Sequence, residues 1–409
     1  MAFVLAPSFD SVNSDDYTLN LVTFPDATTS TLTTLFSSQQ ISAIATEFPE
    51  EGPDLFEGSS LYQRLQVLAA TVGPGGIAWE DDGKRLAFVA ALDGVTADVY
   101  TIDPRDRSIR RLTTGLTQAA HLSWSPSGRY IINQGISDIN IGRSGTDNVS
   151  GLWISTTDRI SNRLAMPGPA YFLRWLDKDS FLAYYSEMGC GDYDLTLVDA
   201  STGERRLLWK GQFDAADADP VSRTVLVALT NADERLKDWD RCPLPPVEGL
   251  FIIRPPSSTP SQVDSPPGHD WIYELKWHPS SGTFVVGPSR PLFEVSPMGT
   301  VTDPSQRTPL PFQLSPSREY SWASDPFGHS PFGRGLSILA KDGSRIPVYD
   351  DYVCNMVWQP QSDTLFFYSD DASPVLFAAS PPDFAPIRIV AGLPLSCSDP
   401  PQWIESTHQ

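Results

Sequence analysis

The chain has 409 residues, and its 50 Asp and Glu against 29 Lys and Arg give a formal net charge of −21. That balance excludes a surface built for nucleic acid or anionic membrane, which needs clustered cations, and it suits solubility or a cationic ligand. The 37 prolines, 28 glycines and 11% aromatics fit an all-β chain rich in turns, and no stretch reaches the ~20 apolar residues of a membrane-spanning helix.

In chain order, Ala2 to Leu5, Asp16 to Val22 and Thr31 to Phe36 read as three successive strands. The chain opens inside a strand, without a charged segment followed by a long apolar one, so a leader or tether upstream is expected. Between Ser37 and Gly76, Leu61, Leu65, Leu68 and Val72 recur at helical spacing, with Ser59 or Ser60 as a cap; a short covering helix is predicted.

From residue 77 a unit repeats. Its clearest copy is His121-Leu122-Ser123-Trp124-Ser125-Pro126-Ser127-Gly128-Arg129-Tyr130-Ile131-Ile132. Leu122 and Trp124 alternate as in a strand, with His121 at its start. Pro126 presets the turn, Gly128 supplies a backbone angle that other residues avoid, and the apolar run returns antiparallel. A tryptophan there is too large for one sheet to cover and needs a neighbouring sheet.

Trp79, Trp175, Trp277 (with His278 in the turn) and Trp358 head further copies. Two weaker copies without the tryptophan span Asp217–Leu229 and Phe312–Trp322. Each unit has a second half: Asp98 to Asp103 with Ile109 to Leu112, Asp194 to Asp199 with Arg205 to Leu208, Leu336 to Ala340 with Arg345 to Val348. One repeat is therefore four strands, A to D, at about 45 residues per repeat, the range of a β-propeller blade. Gln402-Trp403-Ile404 reads as one more A strand, completing the three N-terminal strands. The fold expected is all-β, a single β-propeller domain over 1–409 of eight four-stranded blades, closed by a blade shared between the N- and C-termini. Seven or six blades follow if a weak copy is an insertion.

Trp124 to Ile132, and Leu86 to Val89 followed by Asp98 to Asp103, resemble TolB-like repeats. They are equally similar to the propeller portion of dipeptidyl peptidase IV and prolyl oligopeptidase relatives. The resemblance implies a binding or scaffold module, in bacteria largely outside the cytoplasm. Peptidase relatives keep their catalytic residues on a separate α/β-hydrolase domain. Here Gly142-Arg143-Ser144-Gly145 has the wrong spacing for a nucleophile elbow.

The A–B and C–D turns are tight, whereas the insertions at 37–76, 134–150, 231–248 and 324–334 are B–C or D–A connections, which share one face of a propeller. Long loops outside the repeat are where function concentrates. The candidate binding residues are Asp138, Asn140, Arg143 and Asp147 in one loop, Asp192 and Tyr193 in a second, Arg235, Asp238, Trp239 and Arg241 in a third, and His329 and Phe332 in a fourth. Trp239 and Tyr193 would anchor or stack, and the charged groups would orient the ligand.

Cys190 and Cys242, in B–C loops of consecutive blades, and Cys354 and Cys397, before consecutive A strands, are the favoured disulfide pairs of three connectivities; four free thiols in a cytoplasmic protein are the alternative. No histidine or cysteine spacing marks a zinc site. Asp214, Asp217 and Asp219 alternate and read as solvated strand-edge carboxylates, with calcium as the alternative. The Arg105 to Arg111 stretch reads as a solvated edge. The function expected is non-catalytic binding of a protein, peptide or glycan, extracytoplasmic, without a cofactor. A hydrolase or lyase working in the channel through carboxylates, and a structural subunit of a larger assembly, are the alternatives.

Overall fold

The computed structural model describes residues 2–5, 17–23, 28–36, 76–93, 96–115, 118–136, 149–187, 191–229, 249–264, 274–278, 282–287, 293–302, 315–325, 333–359, 362–369 and 375–391. Every regular element among them is a strand, and the strands form seven antiparallel sheets that follow the chain. The first holds β1 (Ala2–Leu5), β2 (Tyr17–Thr23) and β3 (Thr28–Phe36). The second holds β4 (Ile77–Trp79), β5 (Leu86–Ala90), β6 (Asp98–Ile102) and β7 (Ile109–Arg111). The third holds β8 (Gln118–Trp124), β9 (Tyr130–Ile136), β10 (Val149–Thr156) and β11 (Arg163–Pro167).

The fourth holds β12 (Ala170–Trp175), β13 (Ser180–Glu187), β14 (Gly191–Asp199) and β15 (Arg205–Leu207), with β16 (Gln212–Phe213) added to β14. The fifth holds β17 (Ala215–Asp219), β18 (Thr224–Leu229), β19 (Gly249–Ile253) and β20 (Ser261–Val263). The sixth holds β21 (Glu274–His278), β22 (Thr283–Gly287), β23 (Phe293–Val295) and β24 (Val301–Thr302). The seventh holds β25 (Tyr320–Asp325), β26 (Gly333–Ala340), β27 (Arg345–Trp358), β28 (Leu365–Ser369), β29 (Val375–Ala379) and β30 (Ile387–Ala391).

The chain divides into two compact units, residues 1–122 with 312–409, and residues 123–311. Within the second, sheets stack face to face. Ile132 and Leu152 meet Trp175 and Phe181; Leu182 and Leu195 meet Val225 and Val227; Leu226 and Leu250 meet Trp277 and Phe284. Alternate residues of β18 thus enter cores on opposite sides. Covered on both faces, a middle strand is apolar throughout rather than alternating, and all six residues of β18 are buried. In the second to sixth sheets the fourth strand lies at an edge of the ladder, and in β15 Arg205, Arg206 and Leu207 are all exposed. The repeat tryptophans Trp79, Trp124, Trp175, Trp277 and Trp358 are all buried.

Side chains lock the A–B turns. Ser125 Oγ accepts the Tyr130 amide at 3.0 Å, Gly128 takes φ 69°, and Ser127 Oγ donates to Asp179 in the next turn at 2.7 Å. The Ser315-Pro316-Ser317 copy does the same, with the Tyr320 amide on Ser315 Oγ at 3.3 Å and the Ser317 amide on Asp363 at 3.1 Å. The turn chemistry therefore persists in a copy without the leading tryptophan.

Several expectations are corrected. The copies around Trp322 and Trp358 form one six-stranded sheet, not two: in β27 no turn intervenes, so its first part pairs with β26 and its last residues with β28. His121 lies in the middle of β8, exposed and with φ 49°, and His278 ends β21 rather than lying in a turn. Arg111, in the stretch read as solvated, pairs with both Asp93 at 2.9 Å and buried Asp98 at 2.6 Å. Strands β9, β10, β25 and β26 take the ends of insertions 134–150 and 324–334. The helix expected within 37–76, loop 231–248, the strand at Trp403, Cys190, Cys242, Cys397 and the Cys354 side chain lie outside the described residues.

Two predictions follow from the packing and the turns. Gly135 and Gly151 face each other across β9 and β10. A β-carbon on Gly135 would stand 2.5 Å from Trp153 Nε1 and 2.7 Å from Ser150 Oγ, whereas one on Gly151 would strike the Met166 carbonyl oxygen. Gly135→Ala should cost about 1–3 kcal/mol, the usual range for overpacking. Gly151→Ala should cost more, since backbone must move and its φ of +148° also disfavours a side chain; denaturant unfolding followed by tryptophan fluorescence checks the order. The second concerns acid. Hydrogen bonds from Arg105 hold the Asp103 carboxyl down at about 2, and those from Ser201 and then Thr202 lower Asp199. A carboxylate depressed in the folded state stabilises fully above its ordinary value of about 3.9 and loses that contribution as pH falls towards the folded value. Asp98, raised by burial against Thr113 and Arg111, has the opposite sign: its contribution declines as pH rises above the ordinary value. The Asp103→Asn, Asp199→Asn double variant should lose less stability than the parent between pH 5 and 2; parallel curves in a pH series of urea unfolding would refute this.

Candidate functional site

The site grows from an irregularity in the fourth sheet. The register between β13 and β14 jumps from Ala183↔Thr196 to Tyr185↔Tyr193, leaving Asp194 as the extra residue, with φ 55°. Aspartate tolerates this left-handed conformation better than most residues, and the bulge re-aims the strand beyond it. The D–A connection fills the freed edge. The Gly211 amide donates to Asp194 Oδ1 at 2.7 Å, and Asp194 N to the Gly211 carbonyl at 3.1 Å. Strand β16 then pairs Phe213 with Asp192 and Gln212 with Tyr193. Trp209, buried, donates its indole N–H to the Gln212 carbonyl at 3.0 Å.

The equivalent aspartate in the second sheet does similar work. Asp98 accepts Thr113 Oγ1 at 2.8 Å, and Leu112 N bonds the Val99 carbonyl just as Leu208 N bonds that of Leu195. In both sheets an aspartate on the third strand, Asp98 opening β6 and Asp194 within β14, thus holds the D–A connection against it.

Beyond the bulge, cross-strand register sorts the side chains onto two faces. Tyr171 stands opposite Tyr184, and Asp192 opposite Ser186, two residues on from Tyr184. Tyr171, Tyr184, Asp192 and Phe213 therefore share one face. The Tyr171 and Tyr184 rings stack at 5.8 Å, and Phe213 meets Tyr184 edge-on at 5.7 Å. Burial first, then the Asp192 charge and Tyr171, keep the Tyr184 phenol protonated well above its usual range. On the opposite face Tyr185 and Tyr193 stack at 5.7 Å. All four tyrosines and Asp192 are half-buried, with Tyr184 packed against the core shared with the fifth sheet and Tyr185 against the core shared with the third, so the end of this sheet places partly accessible aromatic rings on the same face as a carboxylate.

Asp217 corrects the reading of solvated alternating carboxylates. Asp217 and Asp219 are 5% and 3% exposed. Asp217 Oδ1 pairs with Arg174 Nε at 2.9 Å and accepts the Ala218 amide at 2.8 Å, while Oδ2 accepts the Trp277 amide at 2.7 Å. Arg174 also donates to the Ala218 carbonyl at 3.1 Å. The carboxyl is pushed up by burial, which outweighs Arg174 and the two amides. Asp219 caps its turn, accepting the Val221 amide at 2.9 Å and the Ser222 amide at 3.2 Å. Spacing alone did not separate Asp217 from a surface carboxylate, because its partners Arg174 and Trp277 lie about 40 and 60 residues away.

Of the candidate binding residues, the structure describes Asp192 and Tyr193 and brings them together with Tyr171, Tyr184 and Tyr185, which sequence reading passed over as strand residues. The signal available was the Tyr184-Tyr185 pair at the end of a B strand, followed by Tyr193 just past a short connection. Asp138, Asn140, Arg143, Asp147, Arg235, Asp238, Trp239, Arg241, His329 and Phe332 lie outside the described residues. Among the described residues, no group of three or more His, Cys, Asp or Glu gathers as metal ligands, and no helix is long and apolar enough to cross a membrane.

No protein-family model matches the chain, and no curated protein matches it. Solved structures do. Dipeptidyl peptidase 4 of Porphyromonas gingivalis is 10% identical over 92% of this chain and 56% of its own, with a TM-score of 0.48. Oligogalacturonate lyase of Vibrio parahaemolyticus is 14% identical over 76% and 93%, with a TM-score of 0.44. TolB of Acinetobacter baumannii is 13% identical over 86% and 64%, with a TM-score of 0.36. TolB and a dipeptidyl peptidase, the two resemblances read from the repeat, are both among them.

Removing the Asp217 carboxylate strands the buried Trp277 amide and leaves Arg174 without its partner. Asp217→Ala should lower the unfolding free energy by about 2–4 kcal/mol. Asp217→Asn should cost less, because its amide oxygen still accepts the Trp277 N–H. Urea unfolding of the two variants checks this, and equal losses would show that the hydrogen bond contributes nothing.

Proposed function

We propose that this chain is a non-catalytic binding module of β-propeller type, with eight blades, two of them sharing the six-stranded sheet through the unbroken β27 and the first completed by the segment around Trp403. It holds a protein, peptide or glycan on the face carrying the B–C and D–A connections. The observation that carries this reading is the half-buried tyrosine pairs with Asp192, gathered where the B–C connection leaves β13 and the D–A connection returns as β16. Aromatic side chains give large contact areas and lose little conformational freedom on binding. The loop residues Asp138, Asn140, Arg143, Asp147, Arg235, Asp238, Trp239, Arg241, His329 and Phe332 extend the same surface in this reading. An extracytoplasmic location, with disulfides Cys190–Cys242 and Cys354–Cys397, belongs to it as well.

Binding is favoured over carboxylate chemistry because Asp217 and Asp219 are held by arginine and backbone amides. The test is a peptide and oligosaccharide array probed with the parent, with Tyr193→Ala and with a deletion of 231–248. Each change should weaken the recovered ligand about tenfold, the loss of a contact worth roughly 1.4 kcal/mol, at an unchanged thermal midpoint. Undiminished binding by both variants would reject this face.

A further inference from the structure

The two faces at the end of the fourth sheet are chemically different. Tyr185 and Tyr193 form a plain aromatic pair. On the other face the Tyr171 and Tyr184 rings stack, Phe213 backs Tyr184 edge-on, and Asp192 stands on the same face as both tyrosines. An aromatic face carries negative potential at its centre, and a cation above it is attracted all the more when a carboxylate lies beside it and water is partly excluded. A carboxylate has lone pairs for several donors, so bonds it makes within the protein leave capacity for a ligand. The chain's net charge of −21 draws cations towards it and opposes acidic ligands.

We infer that the Tyr171, Tyr184 and Asp192 face receives a basic side chain, guanidinium or ammonium, of a peptide partner. This rests on the binding-module reading above and specifies its ligand. The cation lies against the tyrosine rings, with one N–H donated to Asp192. The neighbouring Tyr185 and Tyr193 pair covers apolar parts of the same peptide across the strand end. Backbone pairing by β16 and the Asp194 bulge hold the carboxylate in place before any ligand arrives, so little ordering cost falls on binding.

Calorimetric titration of the full chain with N-acetyl-arginine amide, its neutral isostere N-acetyl-citrulline amide, spermidine and N-acetyl-glutamate amide tests this. The arginine probe should bind at least fivefold more tightly than citrulline, and more weakly as salt rises. Asp192→Asn should erase that preference at an unchanged thermal midpoint. Tyr184→Phe, which keeps the ring, should retain it, and Tyr171→Ala should weaken it. Equal binding of arginine and citrulline, an unaltered preference in Asp192→Asn, or tighter spermidine than arginine binding would overturn the inference. If neutral or acidic probes bind instead, and Tyr193→Ala weakens them, the ligand class is wrong while the binding face stands. If no probe binds here and the array also shows no dependence on Tyr193, both readings fall.

Discussion

One carboxylate ties together the first strands of three successive sheets. Asp217 sits on β17, and its two oxygens reach Arg174 on β12 and the backbone of Trp277 on β21. Apolar packing between stacked sheets is strong but tolerates sliding, since one branched side chain replaces another at little cost. A charged hydrogen bond to a backbone amide does not tolerate it, because a small displacement leaves a buried charge unpaired. Asp217 therefore adds register to what Leu226, Trp277 and Phe284 supply as burial. The tyrosine-bearing sheet inherits that register, because Arg174 belongs to the strand that carries Tyr171.

The acidity of the chain looks different once its carboxylates are placed. Asp103, Asp177, Asp199 and Asp219 accept amides within their own turns, and Asp179 and Asp363 receive donors from neighbouring turns. Aspartate recurs at these positions because its short side chain reaches the amides two and three residues ahead. Part of the negative charge is thus a by-product of building many tight turns. The charge still produces a field around the molecule, and half-buried Asp192 on the face of Tyr171 and Tyr184 is where the proposed cation would meet it.

The repeat was legible because its signals are local. Tryptophan, a Pro/Gly turn and a short apolar run each act within a dozen residues, and Ser125 and Ser315 show the same turn lock in a strong copy and a weak one. The unbroken β27 was not legible. Two adjacent strands and one bent strand have the same residue pattern when no turn residue separates them. The burial of Asp217 was equally hidden, since alternation places a side chain on a face without telling what covers that face. Asp192 and Tyr193 were singled out for lying in a connection, yet their setting depends on the Asp194 bulge, which periodicity cannot register.

That bulge joins the fold to the site. A regular ladder would have carried Tyr193 and Asp192 on in strict alternation, with the edge of β14 open beyond its pairing with β15. The extra residue instead takes a strained conformation and uses its carboxylate to hold the Gly211 amide, so the returning chain pairs as β16 and closes the edge. Strain accepted at one residue is offset by the pairing of β16 with β14 and by the burial of Trp209 and Phe213. A short polar turn here would have completed the repeat equally well and built no aromatic surface. The departure from the repeat unit therefore coincides with the surface proposed to bind, the kind of place where local regularity gives way.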